Sequence, residues 1–154
     1  MPYLADSNIL LRLVEPSHPM HAEAARAVAS LRRSGEILCL VPQNIREFWN
    51  VCTRPTVKNG LGLAHARVDA EIGKIEVLFR LLEDGLPVYQ EWRRIVLTHS
   101  VTGVQVHDAY LVAAMKVHGL PHVLTFNTAD FTRYAGTEGI TACLLYTSPS
   151  PRDS

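Results

Sequence analysis

The chain has 154 residues, 47% of them hydrophobic, which is enough for one domain with its own core and too little for two. Its 15 basic residues balance 15 acidic ones, so no whole-molecule field draws in a polyanion and any nucleic-acid contact has to be made locally. No stretch approaches the roughly 18 apolar residues of a membrane span, and the first residues lack the basic start and apolar run of a secretory signal; a cytoplasmic protein with no membrane partner is expected.

Tyr3-Leu4-Ala5 is short and mostly apolar and runs directly into Asp6-Ser7-Asn8, residue types that favour helix N-termini, so the chain opens as strand then helix. The first helix covers 9–14 and stops at Glu15-Pro16. A second starts near Pro19, carries Ala24, Ala25, Val28 and Leu31 at helical spacing, and ends at Gly35. Residues 37–41 are a continuous apolar run closed by Pro42, as expected of a strand buried on both faces. In the segment 43–53, Ile45, Phe48, Trp49 and Cys52 mark an amphipathic helix.

Asn59-Gly60-Leu61-Gly62 makes a loop, and Val68, Ile72, Ile75 and Leu78 set a helix over 64–78. A short strand at 79–82, a helix over 87–98, a helix over 107–118 closed by Gly119 and a strand over 122–126 follow. A last strand at 140–142 is entered from the turn 136–139. Strands alternating with helices predict an α/β domain with a mostly parallel central sheet over residues 1–142. From Cys143 onward the chain reads as a disordered tail whose composition resembles translated adapter read-through, so that the natural C-terminus is not expected to be present. Cys39, Cys52 and Cys143 are an odd number without a C-x-x-C pair, which favours buried free thiols over a disulfide framework or a thiolate zinc site.

In open parallel α/β sheets ligands bind beyond the carboxyl ends of the strands. Acidic or amide residues follow three of the expected strands: Asp6 after the first, Glu47 early in the helix after the second, and Asn127 with Asp130 after the strand ending at Phe126. Asp108 opens the helix before that strand and shares a stripe with Leu111, Val112 and Met115, so its carboxylate tops a face that should be buried. Each has a purely structural explanation. Asp6 and Asp108 suit N-cap or first-turn positions, Glu47 lies off its helix's apolar stripe, and Asn127 with Asp130 fits turn chemistry. Those separate explanations do not account for the acids' falling at one edge of the sheet. Clustered carboxylates repel, whereas a divalent cation with oxygen preference makes them a ligand set suited to hydrolysing a phosphodiester with metal-activated water.

Four segments carry a family resemblance: Leu4-Ala5-Asp6-Ser7-Asn8-Ile9-Leu10-Leu11, Arg46-Glu47-Phe48-Trp49-Asn50-Val51, Val106-His107-Asp108-Ala109-Tyr110-Leu111-Val112-Ala113 and Leu124-Thr125-Phe126-Asn127-Thr128-Ala129-Asp130-Phe131. In this order and at these separations the chain resembles PIN domains, most closely the VapC-type toxins of toxin–antitoxin pairs. The resemblance implies a PIN-like three-layer fold and a homodimeric endoribonuclease that depends on Mg2+ or Mn2+, cleaves RNA and is held inactive by a cognate antitoxin. It assigns Asp6, Glu47 and Asp108 as core carboxylates, with Asp6 and Asp108 as metal ligands. The fourth place falls to Asn127, where many relatives have an aspartate, or to Asp130. Ser7, Asn8 and Thr125 would orient ligands or position substrate, and the helix over 64–78 would serve dimer and antitoxin contacts.

Three other readings are weighed. A dehalogenase-type phosphatase needs a second acid where Asn8 stands. A PIN domain that binds RNA or a partner without cleavage, and a PIN nuclease of RNA processing without an antitoxin, share the same motifs. His107, beside Asp108, points about 100° away on a helix and is not taken as a general base; no H-E-x-x-H spacing suggests zinc.

Overall fold

A computed structural model describes residues 1–143; of the tail expected over 143–154, all but Cys143 lies outside the described residues. Five strands, β1 (Pro2–Ala5), β2 (Ile37–Leu40), β3 (Arg80–Leu81), β4 (His122–Leu124) and β5 (Thr141–Cys143), form one sheet in the order β3-β2-β1-β4-β5. Every pairing is parallel. The chain winds outward from β1 through β2 to β3, then crosses back to place β4 on the other side of β1. The winding direction therefore reverses between β1 and β4, where a crevice opens at the carboxyl ends of two neighbouring strands.

Helices cover both faces, as the apolar strand sequences require. Side chains alternate along each strand: Leu4, Cys39 and Val123 enter one core with α5 (Leu86–Thr98) and α6 (Val106–His118). Ala5, Leu38, Leu40 and Leu124 enter the other with α1 (Ser7–Leu13), α2 (His21–Arg33), α3 (Pro42–Thr53) and α4 (His65–Leu78). The three-layer α/β architecture expected from the pattern is present. Among the described residues no helix is long and apolar enough to cross a membrane. Cys39 and Cys52 are buried, Cys143 is half-buried, and all are free thiols.

The C-terminal part differs from expectation in ways that bear on the site. β4 ends at Leu124, two residues early, because the chain turns and the Asn127 N–H points back to the Thr125 hydroxyl at 2.9 Å. A 3₁₀ turn (Thr128–Tyr134) and a short helix α7 (Ala135–Glu138) replace the simple turn, anchored by buried Phe131 and Tyr134. The last strand runs to Cys143, one residue past the boundary drawn from composition, and the Cys143 carbonyl accepts the Thr125 N–H at 2.9 Å. Cys143 thus belongs to the sheet and not to the tail: its backbone partner outweighs what its neighbours in sequence suggest.

Candidate active site

Asp6 is the first residue to leave β1 and the N-cap of α1, with its own N–H donated to the Leu124 carbonyl at 2.9 Å. That bond fixes the start of α1 against the end of β4 across the crevice. The buried Asp6 carboxylate accepts the Ser7 N–H on Oδ1 at 2.8 Å and the Thr125 hydroxyl on Oδ2 at 2.9 Å, with the Asn8 amide 3.5 Å away. Burial pushes the Asp6 pKa up; the Thr125 and Ser7 hydrogen bonds pull it down, the charges of Glu47 and Asp130 raise it, and it stands at about 6.

Glu47 lies in the second turn of α3, half-buried. Its Oε1 accepts the Ser7 hydroxyl at 3.0 Å and its Oε2 accepts Gln43 Nε2 at 3.2 Å. Ser7 therefore serves two acids, Asp6 through its backbone and Glu47 through its side chain. Gln43 Nε2 also donates to the His107 carbonyl at 2.9 Å, and Trp92 Nε1 donates to the Val106 carbonyl at 2.9 Å. The first turn of α6 is thus held from α3 on one side and α5 on the other, and it carries Asp108. Asp108 is raised to about pH 7, first by burial, then by the charges of Asp6, Asp130 and Glu47. Asp6, Glu47, Asp108 and Asp130 accordingly share one field, although they come from four separate segments.

The remaining expected residues divide. Asp130, exposed in the 3₁₀ turn, contributes its charge to both Asp6 and Asp108. Asn127 lies at the same edge with its side chain exposed, and what it offers the site is its backbone N–H to Thr125. Thr125, expected to position substrate, is completely buried and cannot touch it; its hydroxyl positions Asp6 and accepts the Asn8 amide at 3.3 Å. Ser7 and Asn8 direct their donors at Glu47, Asp6 and Thr125. That supports orientation of the acids rather than a phosphate site at the short helix α1. Gln43 escaped sequence reasoning, although Gln43 and Glu47 are four residues apart on one helix face and so are placed to interact.

The donor set for a cation consists of hard oxygens. Among the described residues no three His, Cys, Asp or Glu side chains converge into a ready-made cage. Magnesium and manganese suit this arrangement better than zinc or a fully protein-caged calcium, because one or two carboxylates suffice when water and phosphate oxygens complete the shell. The upward shifts of Asp6 and Asp108 point the same way: a cation held by them would offset both the burial and the neighbouring negative charge that favour their protonated forms.

A family profile for the PIN domain matches residues 3–137. Comparison with curated protein sequences gives no match. Among solved structures, the fold is similar to VapBC2 from Rickettsia felis bound to a DNA fragment from its promoter, with TM-score 0.69, 9% identity, and coverage of 94% of this chain and 98% of that one. It is similar to Mycobacterium tuberculosis VapC20, described as a sarcin-ricin loop cleaving toxin, with TM-score 0.65, 15% identity, and coverage of 85% and 94%. It is also similar to a toxin–antitoxin complex from Klebsiella pneumoniae, with TM-score 0.61, 18% identity, and coverage of 90% and 95%. With most of its length matched by that profile, and with its acids gathered at the switch point of a parallel sheet, the chain belongs to the PIN domain family.

Proposed function

We propose that this protein is an endoribonuclease dependent on Mg2+ or Mn2+ and the toxin of a toxin–antitoxin pair. The observation that carries the reading is the shared field of Asp6, Glu47, Asp108 and Asp130 at the crevice between β1 and β4. A purely structural set of N-caps would have no reason to bring the charges of Glu47 and Asp130 to bear on two buried aspartates, whereas a site for cation and phosphate does. Support for a toxin with an antitoxin partner comes from the structural neighbours, several of which are toxins or toxin–antitoxin complexes.

Asp6 and Asp108 hold the cation. When bound, it lowers the pKa of water and offsets charge developing on the phosphate. Glu47, fixed by Ser7 and Gln43, orients the attacking water and takes its proton as the new phosphorus–oxygen bond forms, while the phosphorus–O3′ bond breaks and O3′ leaves with the electron pair and takes a proton from solvent water. Asp130 fills the fourth acidic place. Thr125 and Asn8 keep Asp6 in its rotamer, so that its oxygens meet the cation without reorganisation. The protein acts as a homodimer in the cytoplasm, with α4 contributing to dimer and antitoxin contacts, and residues 1–142 with Cys143 make up the nuclease domain.

The test is cleavage of RNA by the purified wild type with magnesium, with manganese and with chelator, followed by analysis of the ends. Cleavage that needs the metal and leaves 5′-phosphate and 3′-hydroxyl ends is expected. Cutting that survives chelation, or 2′,3′-cyclic phosphate products, overturns the mechanism.

A further inference from the structure

Beside Glu47, α3 and the start of α6 line an open cleft of about 400 Å³ bounded by Gln43, Arg46, Glu47, Asn50 and His107. Its volume falls in the range of small-ligand sites, roughly 300–1,000 Å³. Two features of its wall are unexplained by the acids alone.

The first is Gln43, only 7% exposed. Both hydrogens of its Nε2 are used, one on Glu47 Oε2 at 3.2 Å and one on the His107 carbonyl at 2.9 Å. These acceptors settle which way the amide faces, since the oxygen could donate to neither. Its Oε1 accepts no hydrogen bond from the described residues and is open to the cleft, so it is free to accept from whatever enters there.

The second is Arg46. A nuclease with a net charge of zero and an acidic cleft repels the phosphates that flank its scissile bond, so a cation is needed close by. Several basic side chains elsewhere are engaged, and of the residues lining the cleft Arg46 alone is a Lys or Arg. Arg94 and Lys116 are paired with Glu138, Arg133 donates to Gln105, and Arg54 donates to the Asn59 carbonyl. Arg46 is exposed, lines the cleft next to Glu47 and, among the described residues, has no ion-pair partner.

We infer that this cleft is the subsite for the unpaired RNA nucleotide next to the scissile phosphodiester, with Arg46 binding that nucleotide's phosphate and Gln43 Oε1 accepting from its sugar or base. His107 and Asn50 line the same space and supply the polar and planar surface on which a splayed-out base rests. The inference rests on the nuclease reading for the meaning of "scissile" but not for the binding itself. It gives Gln43 a double part, since the amide that accepts from the nucleotide also orients Glu47.

The experiment measures binding of a short single-stranded RNA to wild type, Arg46→Ala and Arg46→Lys in calcium-free chelator, as a function of salt. A second RNA set carries one uncharged methylphosphonate at each successive position. Arg46→Ala should weaken binding about tenfold and lower the slope of log affinity against log salt by about 0.7, with partial rescue by Arg46→Lys. On the RNA whose missing charge is the one Arg46 contacts, wild type and Arg46→Ala should bind equally, as a double-mutant cycle requires. An Arg46→Ala protein with wild-type affinity and salt slope, or equal loss on every methylphosphonate RNA, overturns the subsite. Failure of the nuclease reading looks different: wild type would bind with this Arg46 signature and leave the RNA uncut at every metal concentration, which sustains the subsite alone.

Discussion

The Thr125 hydroxyl donates to Asp6 Oδ2 at 2.9 Å across a sequence separation of 119 residues. A side chain with no solvent exposure thereby sets the rotamer of the acid that leaves β1, and the geometry of the site depends on the pairing of β1 with β4 rather than on either loop.

The acids should not tolerate neutral replacement. Asp6→Asn and Asp108→Asn are each expected to lower metal-dependent RNA cleavage by at least about 10²–10³, the range for removing one electrostatic group from an active site. Melting temperature should hold or rise slightly, since each change relieves repulsion in the unliganded cleft. Cleavage by both variants at the wild-type rate would make the cluster structural.

Stability without metal should depend on pH with an unusual sign. Asp6 at about 6 and Asp108 at about 7 bind protons more tightly in the folded chain than when unfolded, where an aspartate titrates near about 3.9. The stability they contribute is full below about pH 4 and is lost as pH rises through 6 and 7. Melting curves in chelator should show this decline, and the Asp6→Asn/Asp108→Asn double variant should flatten it. Magnesium should restore stability most at the high end of the window, where protons no longer compete for the carboxylates.

Asp130 and Asn127 make a paired test of the fourth place. Asp130→Asn removes the charge that both primary acids feel and should lower activity and metal affinity, with partial rescue by excess manganese. Asn127→Asp adds a charge at the same edge and should maintain or raise activity. The opposite ranking would assign the fourth place to Asn127.

Away from the site, Glu138 of α7 is 3% exposed and joins three elements: Arg94 Nη2 donates to Oε1 at 2.6 Å, His99 Nε2 lies 2.8 Å from Oε2, and Lys116 Nζ donates to the backbone carbonyl at 2.9 Å. Burial pushes its pKa up, but the hydrogen bonds of Arg94 and His99 and the charges of Arg94 and Lys116 hold it below the ordinary glutamate value. Its contribution is therefore present above the unfolded pKa and lost as pH falls, the reverse of the aspartate pair. Glu138→Ala should cost about 2 kcal/mol in denaturant unfolding, less than a wholly buried pair because Arg94 is half-exposed and screened. Per-molecule cleavage at low temperature should be unchanged.

Much of this was legible in the chain. Asp6 follows an apolar run and precedes a helix, and Asp108 sits at i, i+3, i+4 and i+7 with Leu111, Val112 and Met115, so both depth and direction follow from local periodicity. Glu47 was placed at the right edge, but its orientation depends on Ser7, 40 residues away, and on Gln43, whose partner carbonyl is 64 residues away. Period and propensity carry no information over such distances. The same holds for Thr125 and Cys143: strand composition suggested neither that Thr125 would be buried beneath Asp6 nor that Cys143 would close the sheet. Glu138 reads as a turn residue in sequence because its three partners, Arg94 on α5, His99 just past its end and Lys116 on α6, lie far away in the chain.

The strand order β3-β2-β1-β4-β5 also sets when the acidic centre can form during synthesis. Synthesis runs from the N-terminus, and β2 and β3 can add to one edge of β1 as they leave the ribosome, while its other edge waits for residues after 120. Asp6 then has neither the Leu124 carbonyl nor the Thr125 hydroxyl to hold it, and Asp130 has not been made. A nascent chain, or a fragment from a stalled ribosome that ends short of β4, carries three of the four acids yet no assembled centre. Assembly of the centre is thus delayed to the last steps of translation, after every residue ahead of β4, the 3₁₀ turn, α7 and β5 has been made.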